Sequence, residues 1–121
     1  MRAKLLLVVA STFEAATGLG LIIAPSFLRL LLGKDVSGMS LAIARLAGFG
    51  LLVLGVACWP RVEANFSRVR AMLIYNLLVT VYLGYLLFAS ESAGKLLLPA
   101  IFVHVVLAVL FVGVWFKHQT T

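Results

Sequence analysis

The stretch Val36–Trp59, VSGMSLAIARLAGFGLLVLGVACW, decides the fold. It holds one charge, Arg45, and stops at Pro60. A helix needs ~20 consecutive apolar residues to cross the hydrocarbon core of a bilayer, and this stretch exceeds that. Three others do the same. Lys4–Ala24 ends before Pro25, Val69–Ala89 follows a polar loop, and Lys95–Phe116 carries Pro99 near its start. A missing N–H costs little there. Four spans take ~80 residues of the 121 in the chain. The remainder is too short for a soluble domain, a nucleotide-binding fold or a long catalytic loop.

Composition points the same way. The chain is 64% hydrophobic and 12% charged, with a mean hydropathy of +1.17. Soluble domains are ~45–50% apolar and ~25% charged. The expected fold is therefore all-α, a single transmembrane domain over residues 1–121. Short connections make sequential spans antiparallel, giving an up-down-up-down four-helix bundle. Ser26–Leu32 is too short to cross and is expected to lie along the interface as a brief helix ended by Gly33. Lys34 and Asp35 are the wettest point of that connection. Ser90–Gly94 forms a tight outer turn.

Ten Lys and Arg against four Asp and Glu give a net charge of +6. The basic residues are spread along the chain and form no dense run, so topology explains them and nucleic acid is not an expected partner. Arg2, Lys4, Arg61, Arg68, Arg70 and Lys117 fall on one side, and Arg29, Lys34 and Lys95 on the other. The richer side is assigned to the cytoplasm, with both termini there. Trp59 and Trp115 fall at the cytoplasmic ends of spans, where an aromatic belt is expected. The start of the chain has the basic-then-apolar look of a signal peptide, but Glu14 interrupts it and hydrophobicity continues to Ala24, as in a retained span. The single cysteine, Cys58, permits no internal disulfide and reads as a small apolar filler. Asn65-Phe66-Ser67 matches a glycosylation sequon by chance on the cytoplasmic side.

Each span carries one strongly polar residue: Glu14, Arg45, Asn76 and His104. At ~1.5 Å of rise per residue all four fall in one slab ~9 Å thick. Small or polar neighbours accompany each at helical spacing. They are Ala10, Ser11, Thr17 and Gly18 in span one, and Gly38, Ala42, Gly48 and Gly55 in span two. Spans three and four have Thr80 and Gly84, then Ala100 and Ala108. Small residues let helices approach and polar ones hydrogen-bond between them, so these stripes are expected on the bundle axis. A charge at the bilayer centre costs ~2.5–3.5 kcal/mol on insertion scales. A Glu14–Arg45 ion pair is therefore expected, with Asn76 and His104 satisfying the remaining valences. If Arg45 points elsewhere, Glu14 becomes a proton acceptor. Tyr75, Tyr82 and Tyr85 lie on a side of the helix away from Asn76 and Thr80. They suit a pocket between spans, a dimer contact, or plain packing with hydroxyls on backbone carbonyls. Ser11, Thr17, Thr80, Tyr75 and Tyr82 are the expected secondary polar lining.

No Gly-rich phosphate loop and no metal-type cluster is visible, and no cofactor is implied. His104 is the only histidine inside a span, whereas a bis-histidine haem needs two that face each other, unless a dimer shares His104. Ser11 and His104 could meet across the bundle as nucleophile and base, and no other such constellation is visible. No catalytic residue is assigned.

The Gly18/Gly20 pair before Pro25, the Leu-rich stretch ending at Gly33, and Ala44-Arg45-Leu46-Ala47-Gly48 through Gly55 resemble the pattern of the DoxX-like small four-span proteins. That resemblance covers nearly the whole chain. It implies a bundle in the bacterial inner membrane and does not imply a reaction, although some relatives are linked to quinone- or thiol-related redox systems. Glu14 also matches in place the proton-binding glutamate of the small multidrug resistance transporters. The rest departs: span three reads Tyr75–Thr80 with no Trp, and that family has no basic residue comparable to Arg45. Three functions follow. The polar core could bind a small polar or amphipathic molecule, with Arg45 on its anionic or carbonyl group. It could be a proton-coupled transporter, as a homodimer, using Glu14. Or it could only lock the helices of an accessory subunit in a larger membrane complex.

Overall fold

The computed structural model describes residues 2–33, 38–61, 65–89 and 94–120. Residues Lys34–Ser37, Val62–Ala64 and Ser90–Ala93 lie outside that set, and with them the wettest point of the first connection and most of the outer turn. The described residues form an all-α membrane bundle. Four helices are long and apolar enough to cross a bilayer: α1 (Ala3–Ile23), α3 (Gly38–Cys58), α4 (Phe66–Ala89) and α5 (Leu97–Thr120). A fifth, α2 (Leu28–Leu32), is a short segment between α1 and α3.

Local chemistry explains the boundaries. α1 closes with the Ala24 N–H on the Gly20 carbonyl at 2.8 Å. Pro25, which has no N–H to give, then opens a 3-10 turn over Pro25–Phe27. α2 ends at Gly33, whose φ of 70° is left-handed and whose N–H reaches the Arg29 carbonyl at 2.7 Å. Only glycine takes that conformation without a steric penalty. α4 starts at Phe66, three residues before the expected Val69. Asn65 caps it, with its side-chain oxygen accepting the Ser67 N–H at 2.8 Å. The apparent sequon is thus a helix start. α5 extends past Phe116 to Thr120, and Lys117 and His118 occupy its last turn, where positive charge suits the helix dipole.

The bundle is built from two antiparallel hairpins. α1 packs closely along α3, and α4 packs on α5, whereas contact between the two pairs is sparser. The α1–α3 seam brings backbone against backbone. A Cβ at Gly18 would lie 2.6 Å from the Gly48 carbonyl oxygen, one at Gly48 would lie 2.7 Å from that of Gly18, and one at Gly55 would lie 2.7 Å from that of Ser11. Small residues permit such an approach in lipid, where van der Waals packing drives association.

At each end the hairpins are held together differently. At the end where α1 begins, Leu6, Leu7, Cys58, Met72, Leu107 and Phe111 form a dry core drawn from all four long helices. At the other end, backbone bonds run from the Gly94 N–H to the Leu31 carbonyl (3.1 Å) and from the Leu96 N–H to the Leu30 carbonyl (2.7 Å). These strap α2 to the lead-in of α5. Between core and strap the hairpins stand apart, and the polar residues lie there.

Candidate functional site

Glu14, Asn76 and His104 come together as expected, each at most 6% exposed. α1 turns Glu14 inward on the same face as Ala10, Ser11 and Gly18, all buried. α4 brings Asn76 inward with Val69 and Met72. Asn76 donates its amide N–H to the Met72 carbonyl at 2.8 Å, which leaves its oxygen to face His104 Nδ1, also at 2.8 Å. His104 Nδ1 therefore donates and Asn76 Oδ1 accepts. Phe13 and Tyr75 hold the imidazole edge-on, each with ring centroids 5.9 Å away.

Arg45 corrects the expectation. It is exposed, and Glu14 forms no ion pair with it. The inward face of α3 is Ala44, Gly48, Gly55 and Cys58, while Gly38 and Ala42 are exposed with Arg45. A seam where glycine backbones touch has no room for a guanidinium, so the helix turns Arg45 outward. Cα–Cβ bonds in a helix tilt toward its N-terminus, so the long stem is aimed along α3 toward the Gly38 end, the direction in which arginine snorkels to headgroups. Arg45 therefore takes no part in holding an anionic ligand at Glu14.

Tyr75 is the donor that the residue pattern did not assign to Glu14. Its hydroxyl donates to Glu14 Oε2 at 3.0 Å, placing it within the site although it neighbours Asn76 on the helix. Tyr82 and Tyr85 remain outside it, 61% and 64% exposed, with their rings stacked at 6.3 Å. Thr17 donates to the Phe13 carbonyl at 2.8 Å. Thr80 Oγ1 and Ser11 Oγ are buried with no hydrogen-bond partner among the described residues. Ser11 lines a different groove from the one that His104 lines, so nothing pairs them as nucleophile and base.

The second oxygen of Glu14 gives the site its chemistry. Oε1 is buried and has no hydrogen-bond partner among the described residues. His104 Nδ1 stands 4.0 Å from it, too far for a hydrogen bond. Glu14, Tyr75 and His104 line one end of a cavity of about 320 Å³. Its remaining wall is mostly apolar, including Phe27 and Leu31 from the α2 region, Leu83 from α4, and Pro99 from α5. Small-molecule sites run ~300–1,000 Å³ and combine such walls with a few convergent polar groups. Among the described residues no three His, Cys, Asp or Glu side chains gather to hold a metal ion.

No family model, curated protein or solved structure gives a significant match to this chain.

Proposed function

We propose that this chain binds a small amphipathic molecule in the cavity between its two hairpins. The hydrogen-bond-donating head of the ligand sits on Glu14 Oε1, and its apolar body runs toward Phe27 and Leu83. The carrying observation is the buried, unpartnered carboxylate oxygen at the end of an otherwise apolar cavity. Leaving a buried acceptor unmade costs roughly 1–3 kcal/mol, so a donor placed there gains affinity. Among the described residues no Lys or Arg lines the cavity, so a donor head is favoured over an anionic one. The charge asymmetry of the connections supports a cytoplasmic location for both termini. The resemblance to DoxX-like proteins supports the bacterial inner membrane.

Native mass spectrometry of protein released from nanodiscs tests this function. A stoichiometric small-molecule adduct is expected, and it should disappear in Glu14→Leu and in Ala100→Leu, which narrows the cavity away from the carboxylate. A bare wild-type protein, or an adduct retained by both variants, would refute it.

A second function, proton-coupled transport, gains from the outward Arg45. Among the described residues no Lys or Arg pairs with Glu14, which suits a carboxyl that exchanges a proton with a substrate. Proton flux in proteoliposomes should then vanish in Glu14→Gln while the fold persists. Flux equal to wild type would remove transport.

A further inference from the structure

A second groove lies on the opposite side of α1, over the outer edge of the α1–α3 seam. It measures about 660 Å³, and its mouth carries Trp59, Arg61 and Arg68. Its trough is lined by small residues, with Thr12, Ala15 and Ala16 from α1 and Gly55 and Ala57 from α3, and Leu19 at the far end. Ser11 lines it too, 1% exposed, with a hydroxyl that no described residue partners.

Its length suits one extended acyl chain. Arg68 lies eight residues along α4 from Asn76, ~12 Å toward the helix start and close to the ~15 Å half-thickness of the hydrocarbon core, and the trough continues ~7 Å past the level of Glu14 to Leu19. The two arginines thus stand near the headgroups of that side. Trp59 joins them at the depth where indole rings gather. Arginine pairs with phosphate through two parallel N–H donors. A mostly apolar trough that runs from the headgroup level past mid-bilayer, with guanidinium groups from two segments at its mouth, matches a single molecule with a phosphate head and an acyl chain.

We propose that this groove is a binding site for an anionic phospholipid. The headgroup phosphate lies between Arg61 and Arg68, and one acyl chain fills the trough over Ala15, Ala16 and Gly55. The site is separate from the cavity at Glu14, and neither proposal depends on the other.

Trp59 lines the groove and reports on it. In a Trp115→Phe background, where phenylalanine can keep the stack on Phe66, Trp59 is the sole tryptophan. The protein is reconstituted in phosphatidylcholine vesicles in which a minor fraction of lipid, phosphatidylglycerol or phosphatidylcholine, carries brominated chains. Bromine quenches indole on contact, so quenching reads occupancy of the groove. Phosphatidylglycerol is expected to be preferred by about fivefold for each arginine it meets. Arg61→Gln with Arg68→Gln should bring the preference to parity. Ala16→Phe, which fills the trough and leaves both arginines, should lower quenching by either lipid. The absence of preference in the parent protein, or a preference that survives loss of both arginines, would overturn the proposal. A preference abolished by added inorganic phosphate would reassign the groove to free phosphate and also overturn it.

Discussion

The Tyr75 hydroxyl on α4 donates to Glu14 on α1 across 3.0 Å, joining residues 61 apart in the chain and tying one hairpin to the other. Tyr75→Phe keeps the ring against His104 and removes only the donor. Hydrogen bonds between membrane helices average ~0.6 kcal/mol, with a maximum near ~1.7. Thermal unfolding in detergent should show a loss in that range. A melt indistinguishable from wild type would show that the bond contributes nothing to holding the hairpins.

Gly18 and Gly20 lie in the same helix and should behave differently. A methyl at Gly18 meets backbone of α3, whereas a methyl at Gly20 meets nothing within 4 Å. Overpacking of a tight contact costs ~1–3 kcal/mol. Gly18→Ala is expected to destabilise by at least about that much, because backbone atoms cannot swing aside as a side chain can. Gly20→Ala should be neutral or slightly stabilising, since alanine is the better helix former. Equal effects at the two sites would contradict the seam.

Arg45→Gln is expected to leave stability within ~0.5 kcal/mol, as surface changes usually do. It should also leave any adduct at Glu14 bound. A loss as large as that of Tyr75→Phe, or release of the adduct, would mean that Arg45 reaches the carboxylate after all.

The strap at Gly94 is sensitive to one atom. A Cβ at Gly94 would collide with the Leu30 backbone, so Gly94→Ala should separate α2 from the start of α5. Hydrogen exchange at the Leu96 amide, which is bonded to the Leu30 carbonyl, should accelerate while amides in the dry core around Phe111 stay protected. Unchanged exchange at Leu96 would show that the contact yields without breaking.

The four spans were legible because apolar length is a one-dimensional property, and the prolines at 25 and 60 bracket it. Glu14, Asn76 and His104 were legible as a group for a related reason: each sits among small residues at helical spacing. Arg45 was not, because the stripe through Gly48 and Gly55 admits either Ala44 or Arg45 one position back. At 100° per residue, Ala44 lies ~40° from Gly48 and Arg45 ~60° from it on the other side. The size of the seam decides between them, and that depends on Gly18 of another helix. Tyr75 was legible as polar lining but not as the partner of Glu14, for a similar reason. A groove between two hairpins accepts two adjacent positions of α4, where a single facing helix would accept one. The cavity itself leaves no mark in the sequence, since its apolar wall is made of the same residue types that face lipid elsewhere.

The division into hairpins has a consequence for synthesis. Tyr75 and His104, the groups nearest the Glu14 carboxylate, both belong to the second hairpin. When α1 leaves the ribosome, neither exists yet. α1 must therefore enter the bilayer with its acidic residue unanswered, against ~2.5–3.5 kcal/mol on insertion scales, carried by the apolar residues around it. The glycine seam with α3 can close as soon as α3 arrives, which gives the nascent chain a finished half. That half waits with its carboxylate turned toward an empty side until the second hairpin docks.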